Sequence, residues 1–280
     1  MDIYDEIVRL RRAGRPAAMA TIIMTRGSVP SFATAKMLVR DDGSILGTVG
    51  GGMVEAEVIK AARQVIEQER PQTVEVNLRN EPGSSKGPVC GGGLAIFVEP
   101  ILPAPVLYIF GGGHVGLSAH RFARAVGFDT VVIDERPEFA SRDRYPDAQD
   151  VIAENWDSAL ARIKPARSSY ILLVTKGYQD DMRVLRWAVD TPAGYIGMIG
   201  SRRKVLTVYK ELQKDGVPPE KLERVRAPVG LDIGATTPEE IAVSVIAEII
   251  AVRRHATAAL PHKRSHGMAA ANGMPLEAVG

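Results

Sequence analysis

The chain has 280 residues, 45% of them hydrophobic and 24% charged, and its 35 Lys and Arg nearly balance its 33 Asp and Glu for a net charge of +2. Such a length suggests two domains, the apolar share is enough for real cores, and the charge balance excludes the basic stripe of a nucleic-acid binder. A single cysteine excludes an intrachain disulfide, leaves no second thiol for a zinc site and fits the cytoplasm.

The first residues, MDIYDEIVRLRRAG, carry acids and lack the apolar run of a signal peptide. Ile3, Ile7, Val8 and Leu10 fall on one stripe of a helix over 3–12, which Gly14 and Pro16 end. AAMATIIMT (17–25) reads as a buried strand. AKMLVR and ILGTV form a hairpin with Asp42-Gly43 in its turn. Gly50, Gly51 and Gly52 then lead into a helix that aligns Val54, Val58, Ala61 and Val65 on one face. TVEVNL (73–78) and LAIFVEP (94–100) are strands, so residues 1–101 read as a small α+β domain.

PILPAP (100–105) holds three prolines and reads as a stiff connector at the domain boundary. Beyond it, VLYIF (106–110), DTVVID (129–134), DVIAE (150–154), YILLVT (170–175) and GYIGMIG (194–200) are short apolar strands, most of them separated by helical segments such as 179–189 and 202–214. That alternation predicts a doubly wound parallel sheet over 106–255, an α/β Rossmann-like domain. Thr237, Pro238 and Glu240 spell a capping box at the start of a final helix. Its apolar stretch, Ile241 to Val252, is interrupted by Glu248 and too short to span a bilayer. From 256 to 280 the sequence has no periodicity and reads as a disordered tail. Neither a nucleic-acid nor a membrane partner is expected.

The candidate chemistry gathers where the backbone is bare. Gly111, Gly113 and Gly116 form a GxGxxG between a strand and a helix, and Asp134 ends the next strand 21 residues beyond Gly113. Glycines there permit a tight turn and close approach of a phosphate, the helix start offers free N–H groups, and the carboxylate is placed for ribose hydroxyls. The same glycines also suit plain helix–strand packing. His114 lies where a side chain could face a ligand. Gly50 to Gly52 form a second anion nest, in which Glu55 either binds a polar ligand or, with Glu57, complements the helix dipole. Ser201 caps a helix whose first turn holds Arg202, Arg203 and Lys204, three cations that the dipole disfavours unless an anion or an acidic surface faces them. Lys176, at another strand end, faces the same crevice. His114 and His120 lie about 240° apart around one helix and cannot share a metal ion, so no protein-bound metal is expected. Cys90 precedes three glycines, and its residue type alone leaves packing, redox, metal binding and sulfur chemistry open.

Several of these stretches together resemble one family, the XdhC/CoxI accessory proteins of molybdenum hydroxylases. They are GSVPSFATAKMLVRDDGSILGTVGGGMVEAEV, VCGGGLAIFVEP, YIFGGGHVG, VIDERPEFA, YIGMIGSRRK and PVGLDIGATTPEEIAVSVIAEII, in family order over about 20–253. The resemblance implies a cofactor-handling domain followed by a Rossmann-like one. It also implies a protein that binds and protects molybdenum cofactor, as molybdopterin or its dinucleotide, assists its sulfuration, and delivers it to an apo molybdenum hydroxylase such as xanthine dehydrogenase. A cysteine desulfurase and a second copy of the chain are the other partners it implies, and turnover of its own is not. Under it Cys90 is the reactive residue, and Gly91 and Gly92 let a bulky pterin approach. Ser31, Met53 and Tyr178 depart from many relatives. The competing function is an NAD-dependent oxidoreductase built on Gly111 to Gly116 and Asp134.

Overall fold

The computed structural model describes residues 2–27, 33–77 and 92–256. Cys90, Gly91 and Ser31 lie outside them, as does the tail beyond Ala256. The chain divides into two compact units, Met1–Ala104 and Pro105–Gly280.

The first unit is an antiparallel sheet between two helices. Its strands are β1 (Ala17–Arg26), β2 (Lys36–Arg40), β3 (Ile45–Gly47), β4 (Gln72–Asn77) and β5 (Gly93–Ile101), in the order β3-β2-β1-β5-β4. Alternation along β1 sends Ala18, Ala20 and Ile22 to the face covered by α2 (Gly52–Gln68), where they meet Val54, Val58 and Val65. Ala17 and Met19 point to the other face, against Leu10 of α1 (Ile3–Arg12). Glu6 of α1 is fully buried and bound at 2.7 Å by both Arg9 and Arg40. These two guanidinium groups hold its carboxyl down at about 2.

The second unit is the doubly wound α/β fold that the strand rhythm predicts. Strands β6 (Val106–Phe110), β7 (Asp129–Ile133), β8 (Asp150–Ile152), β9 (Ser169–Leu173), β10 (Tyr195–Met198) and β11 (Val225–Arg226) are all parallel. They lie in the order β11-β10-β9-β6-β7-β8, so the winding reverses between β6 and β9. The central strands are buried on both faces. Phe110, Ile171, Leu173 and Ile196 pack against α4 (Trp156–Arg162), α5 (Tyr178–Ala188) and α6 (Arg202–Lys214). Leu107, Ile109, Val132 and Leu172 pack against α3 (His114–Ala125) and α8 (Pro238–Arg253). The short α7 (Pro219–Glu223) precedes β11. Thr237 and Glu240 form the capping box at the start of α8, each side chain bonding the other residue's backbone N–H. Among the described residues no helix is long and apolar enough to cross a membrane.

Candidate functional site

In an open parallel sheet, ligands gather beyond the carboxyl ends of the strands, at the point where the winding reverses. Here that point lies between β6 and β9, and the predicted residues of the second unit line up along that edge. Gly111 to Gly116 follow β6, Lys176 follows β9 and Ser201 to Lys204 follow β10. The glycine loop is built into the sheet. A Cβ on Gly111 would lie 2.4 Å from the carbonyl oxygen of Val174, at the end of β9, and one on Gly116 would lie 2.0 Å from that of Gly111. Both are therefore packing glycines. Gly113 differs: it is the N-cap of α3, no side chain caps the helix, and a Cβ there would meet nothing within 4 Å. His114 stands exposed in the first turn.

Gly112, between the fingerprint glycines, is the most tightly held. A Cβ there would lie 2.0 Å from the carbonyl oxygen of Phe139. Its N–H donates to Oδ2 of Asp134 at 2.9 Å. Its carbonyl oxygen accepts from the Tyr145 hydroxyl at 2.8 Å and from Arg144 at 3.2 Å. The segment after β7 thus buttresses the glycine loop. Tyr145 is wholly buried and packs edge-on to His120, whose ring nitrogen contacts the Thr130 hydroxyl at 2.8 Å. Burial lowers the His120 pKa.

Asp134 is 3% exposed. Arg136 grips it with Nε at 2.9 Å and Nη2 at 2.8 Å, while the Arg136 backbone N–H adds a bond at 3.1 Å. Burial alone would raise the Asp134 pKa, but these bonds and the Gly112 N–H outweigh it and hold it below the ordinary range. The guanidinium also lies 3.8 Å from the centroid of the Phe139 ring.

The basic turn of α6 is not uniform. Ser201 accepts from the Lys204 N–H at 3.2 Å, as a cap should. The Lys204 side chain forms an ion pair with Asp181 of α5, which is fully buried and accepts a second bond, 2.7 Å, from Thr175. Burial raises the Asp181 pKa, with Lys204 and Thr175 opposing it. An acidic side chain of a neighbouring helix therefore offsets one of the three cations. Arg202, Arg203 and Lys176 are exposed, with no ion pair among the described residues.

In the first unit, β5 begins at Gly93 opposite Asn77 and Arg26, whereas β3 ends at Gly47 opposite Met37, which pairs with Ala20 in the middle of β1. Gly50 to Gly52 and the start of α2 follow β3, and buried Gly92 precedes β5. All three nest glycines have positive φ, at 124°, 77° and 54°, and no side chain caps the helix. Glu55 accepts from the Thr48 hydroxyl at 2.5 Å, which itself accepts from the Gly50 N–H at 3.2 Å. The carboxylate is thus part of the loop's own scaffold, and Met53 beside it is 61% exposed. Among the described residues no three His, Cys, Asp or Glu side chains cluster as a metal site.

Sequence reasoning did not find Tyr145, Phe139 or Asp181. Asp181 offered one signal, an acid in the first turns of a helix that follows a strand, but that pattern reads equally well as dipole compensation.

Two family models match the chain: the XdhC Rossmann domain over residues 107–249, and the XdhC and CoxI family over 10–77. The chain belongs to the XdhC/CoxI family. Among curated proteins it is 36% identical over 267 residues to an uncharacterized protein, YqeB, of Escherichia coli K12, covering 95% of this chain and 49% of that one. It is 33% identical over 159 residues to a probable xanthine dehydrogenase subunit of Bacillus subtilis, covering 57% and 46%. It is 26% identical over 275 residues to the molybdenum cofactor insertion chaperone PaoD of E. coli K12, covering 87% and 85%. The chain thus spans about half the length of the first two. A crystal structure of a xanthine dehydrogenase from Bacillus halodurans aligns with 91% of this chain and 96% of its own, at 24% identity and a TM-score of 0.49.

Proposed function

We propose that the chain is a carrier of molybdenum cofactor, which it binds, shields and delivers to an apo molybdenum hydroxylase such as xanthine dehydrogenase. The observation that carries this reading is the open start of α3. Gly113 leaves the first N–H groups of that helix without a side-chain cap, and Arg202, Arg203 and Lys176, without an ion pair among the described residues, stand along the same edge of the sheet. Uncapped N–H groups, a helix dipole and fixed cations together suit the phosphate of a pterin cofactor or the pyrophosphate of its dinucleotide form. The name of one relative, an insertion chaperone, supports the same reading.

In this reading the phosphate is held by Gly113, His114, Lys176, Ser201, Arg202 and Arg203 of the second unit, while Gly50 to Gly52 and Gly92 are a separate binding candidate within the first. Gly111 and Gly116 shape the loop and Lys204 anchors α6, so they act one step removed. Cys90 supplies a thiolate to a metal already held by sulfur, which is the ligand softness molybdenum prefers. Family membership suggests assistance in sulfuration, with a cysteine desulfurase as a partner. We place the protein in the cytoplasm as a homodimer, without turnover of its own. The domain division at the 100–105 connector then separates a thiol-bearing half from a phosphate-holding half.

The test is ligand retention. Anaerobically purified protein is mixed in parallel with molybdenum cofactor, its cytosine dinucleotide form and NAD, then desalted, and the co-eluting ligand is assayed. Retention of a pterin by the wild type, reduced in Cys90→Ala with the circular dichroism spectrum unchanged, is the expected result. Retention of NAD alone, indifferent to Cys90, would replace the carrier by the oxidoreductase.

A further inference from the structure

We infer that Arg136 occupies the place an adenosine ribose would take at Asp134, so that the second unit is closed to NAD and to other ligands read through an adenosine diol. A carboxylate offers about four acceptor positions. Those of Asp134 are all taken: Oδ1 by the Arg136 N–H at 3.1 Å and Nε at 2.9 Å, and Oδ2 by the Gly112 N–H at 2.9 Å and Arg136 Nη2 at 2.8 Å. A ribose 2′-hydroxyl donates to this carboxylate in a dinucleotide-binding Rossmann domain, and here it finds no free acceptor. To gain one it must displace a forked, charge-assisted pair with a neutral hydroxyl, which is the weaker donor. The exchange would also pull the guanidinium from the Phe139 ring, 3.8 Å away. The Phe139 backbone is packed against the loop, its carbonyl oxygen 2.0 Å from where a Gly112 Cβ would lie.

NAD therefore does not fit the residues present, although the strand order and the glycine spacing are those of a dinucleotide fold. The α3 N-terminus remains without a side-chain cap. The unit is suited to a ligand grasped by its phosphate, with its recognition completed away from Asp134. Arg136 is thus a specificity-determining residue that works by exclusion. This inference rests on the nucleotide-type fold of the second unit and not on cofactor delivery.

The experiment compares ADP with 2′-deoxy-ADP by isothermal titration calorimetry on the full chain. Wild type is expected to bind the two within twofold of each other, or neither measurably, because the 2′-hydroxyl has no acceptor. Arg136→Ala frees Asp134 and is expected to gain about tenfold or more in affinity for ADP, and to prefer it about tenfold over 2′-deoxy-ADP. Arg136→Gln, which keeps an aliphatic stem beside Phe139, should move the same way and guards against a folding defect in the first variant. A wild type that prefers ADP tenfold over 2′-deoxy-ADP overturns the inference, as does a failure of both variants to gain ADP affinity. Molybdenum cofactor retention on the same samples is a separate readout: its loss beside the expected ADP pattern would sink the carrier function alone.

Discussion

The chain uses the tripeptide Gly-Gly-Gly twice at the entrance of a helix, and the two copies are glycine for different reasons. At 50–52 the requirement is conformation. All three residues have positive φ, and a Cβ on Gly51 or Gly52 would touch nothing within 4 Å. At 111–113 the main requirement is space, joined at Gly111 by a positive φ of 114°. Cβ atoms on Gly111 and Gly112 would run into carbonyl oxygens at 2.4 and 2.0 Å, while Gly113, at φ −70°, needs neither freedom nor room for itself. A glycine that its own fold does not demand is the one most readily explained by something outside the fold. The contrast singles out Gly113 among the six, and with it the bare start of α3.

Substitutions separate the two kinds of glycine. Gly112→Ala should have the largest effect, because backbone rather than a flexible side chain blocks the new methyl. We expect a loss of about 3 kcal/mol or more from the second unit. Both tryptophans, Trp156 and Trp187, lie in that unit, so the denaturant midpoint of their fluorescence reads it directly. Gly51→Ala forces an L-residue to φ 77° and should cost about 1–2 kcal/mol, with Gly51→Asn costing less because asparagine tolerates the left-handed region. The tryptophan midpoint should stay in place while the far-ultraviolet transition moves. A shift of the tryptophan signal would break the picture of two separate requirements in two units.

Acid sharpens the comparison between the units themselves. Glu6 titrates at about 2 in the fold, against an ordinary value of 4.5, so the folded first unit binds fewer protons than its unfolded chain between those values. Its contribution is complete above about pH 4.5 and is lost as the pH falls toward about 2. An acid titration of wild type followed by circular dichroism should show that loss, and Glu6→Gln should flatten it; an unchanged profile would remove Glu6 from the account. The smallest expected effect on stability is the most informative on function. Gly113→Ser supplies the cap that α3 lacks and should stabilise the second unit by a few tenths of a kcal/mol. The same hydroxyl occupies the N–H groups assigned to the ligand, so pterin retention should fall as stability rises. Retention that stays level would show that α3 does not hold the phosphate.

The strands and helices of this chain are set by local pattern, and so they were legible. The alternation of 106–110, 129–134 and 170–175 foretells β6, β7 and β9 to within a residue or two, and Thr237 to Glu240 foretell the capping box. Two small elements, α7 and β11, went unread because two to five residues carry no periodicity. The site was legible as positions but not as partnerships. Asp134 was readable as the acid after the second strand, yet its commitment depends on how Arg136 folds back and on where the Gly112 N–H points. The acidic surface that the basic turn called for could not be named, because Asp181, the partner of Lys204, lies 23 residues earlier on another helix and meets it only once α5 and α6 pack side by side. The Thr48 partner of Glu55 stayed hidden for the same kind of reason, since only the loop turn brings the two together.

The central claim is delivery, and transfer tests it most directly. The chain is loaded anaerobically with molybdenum cofactor, mixed with an apo molybdenum hydroxylase, and the onset of hydroxylase activity is followed against an equal amount of free cofactor. The account predicts faster and fuller activation from the loaded chain, with the advantage reduced by Gly113→Ser and by Cys90→Ala. Activation no better than that from free cofactor, with the cofactor still bound to the chain, would contradict it.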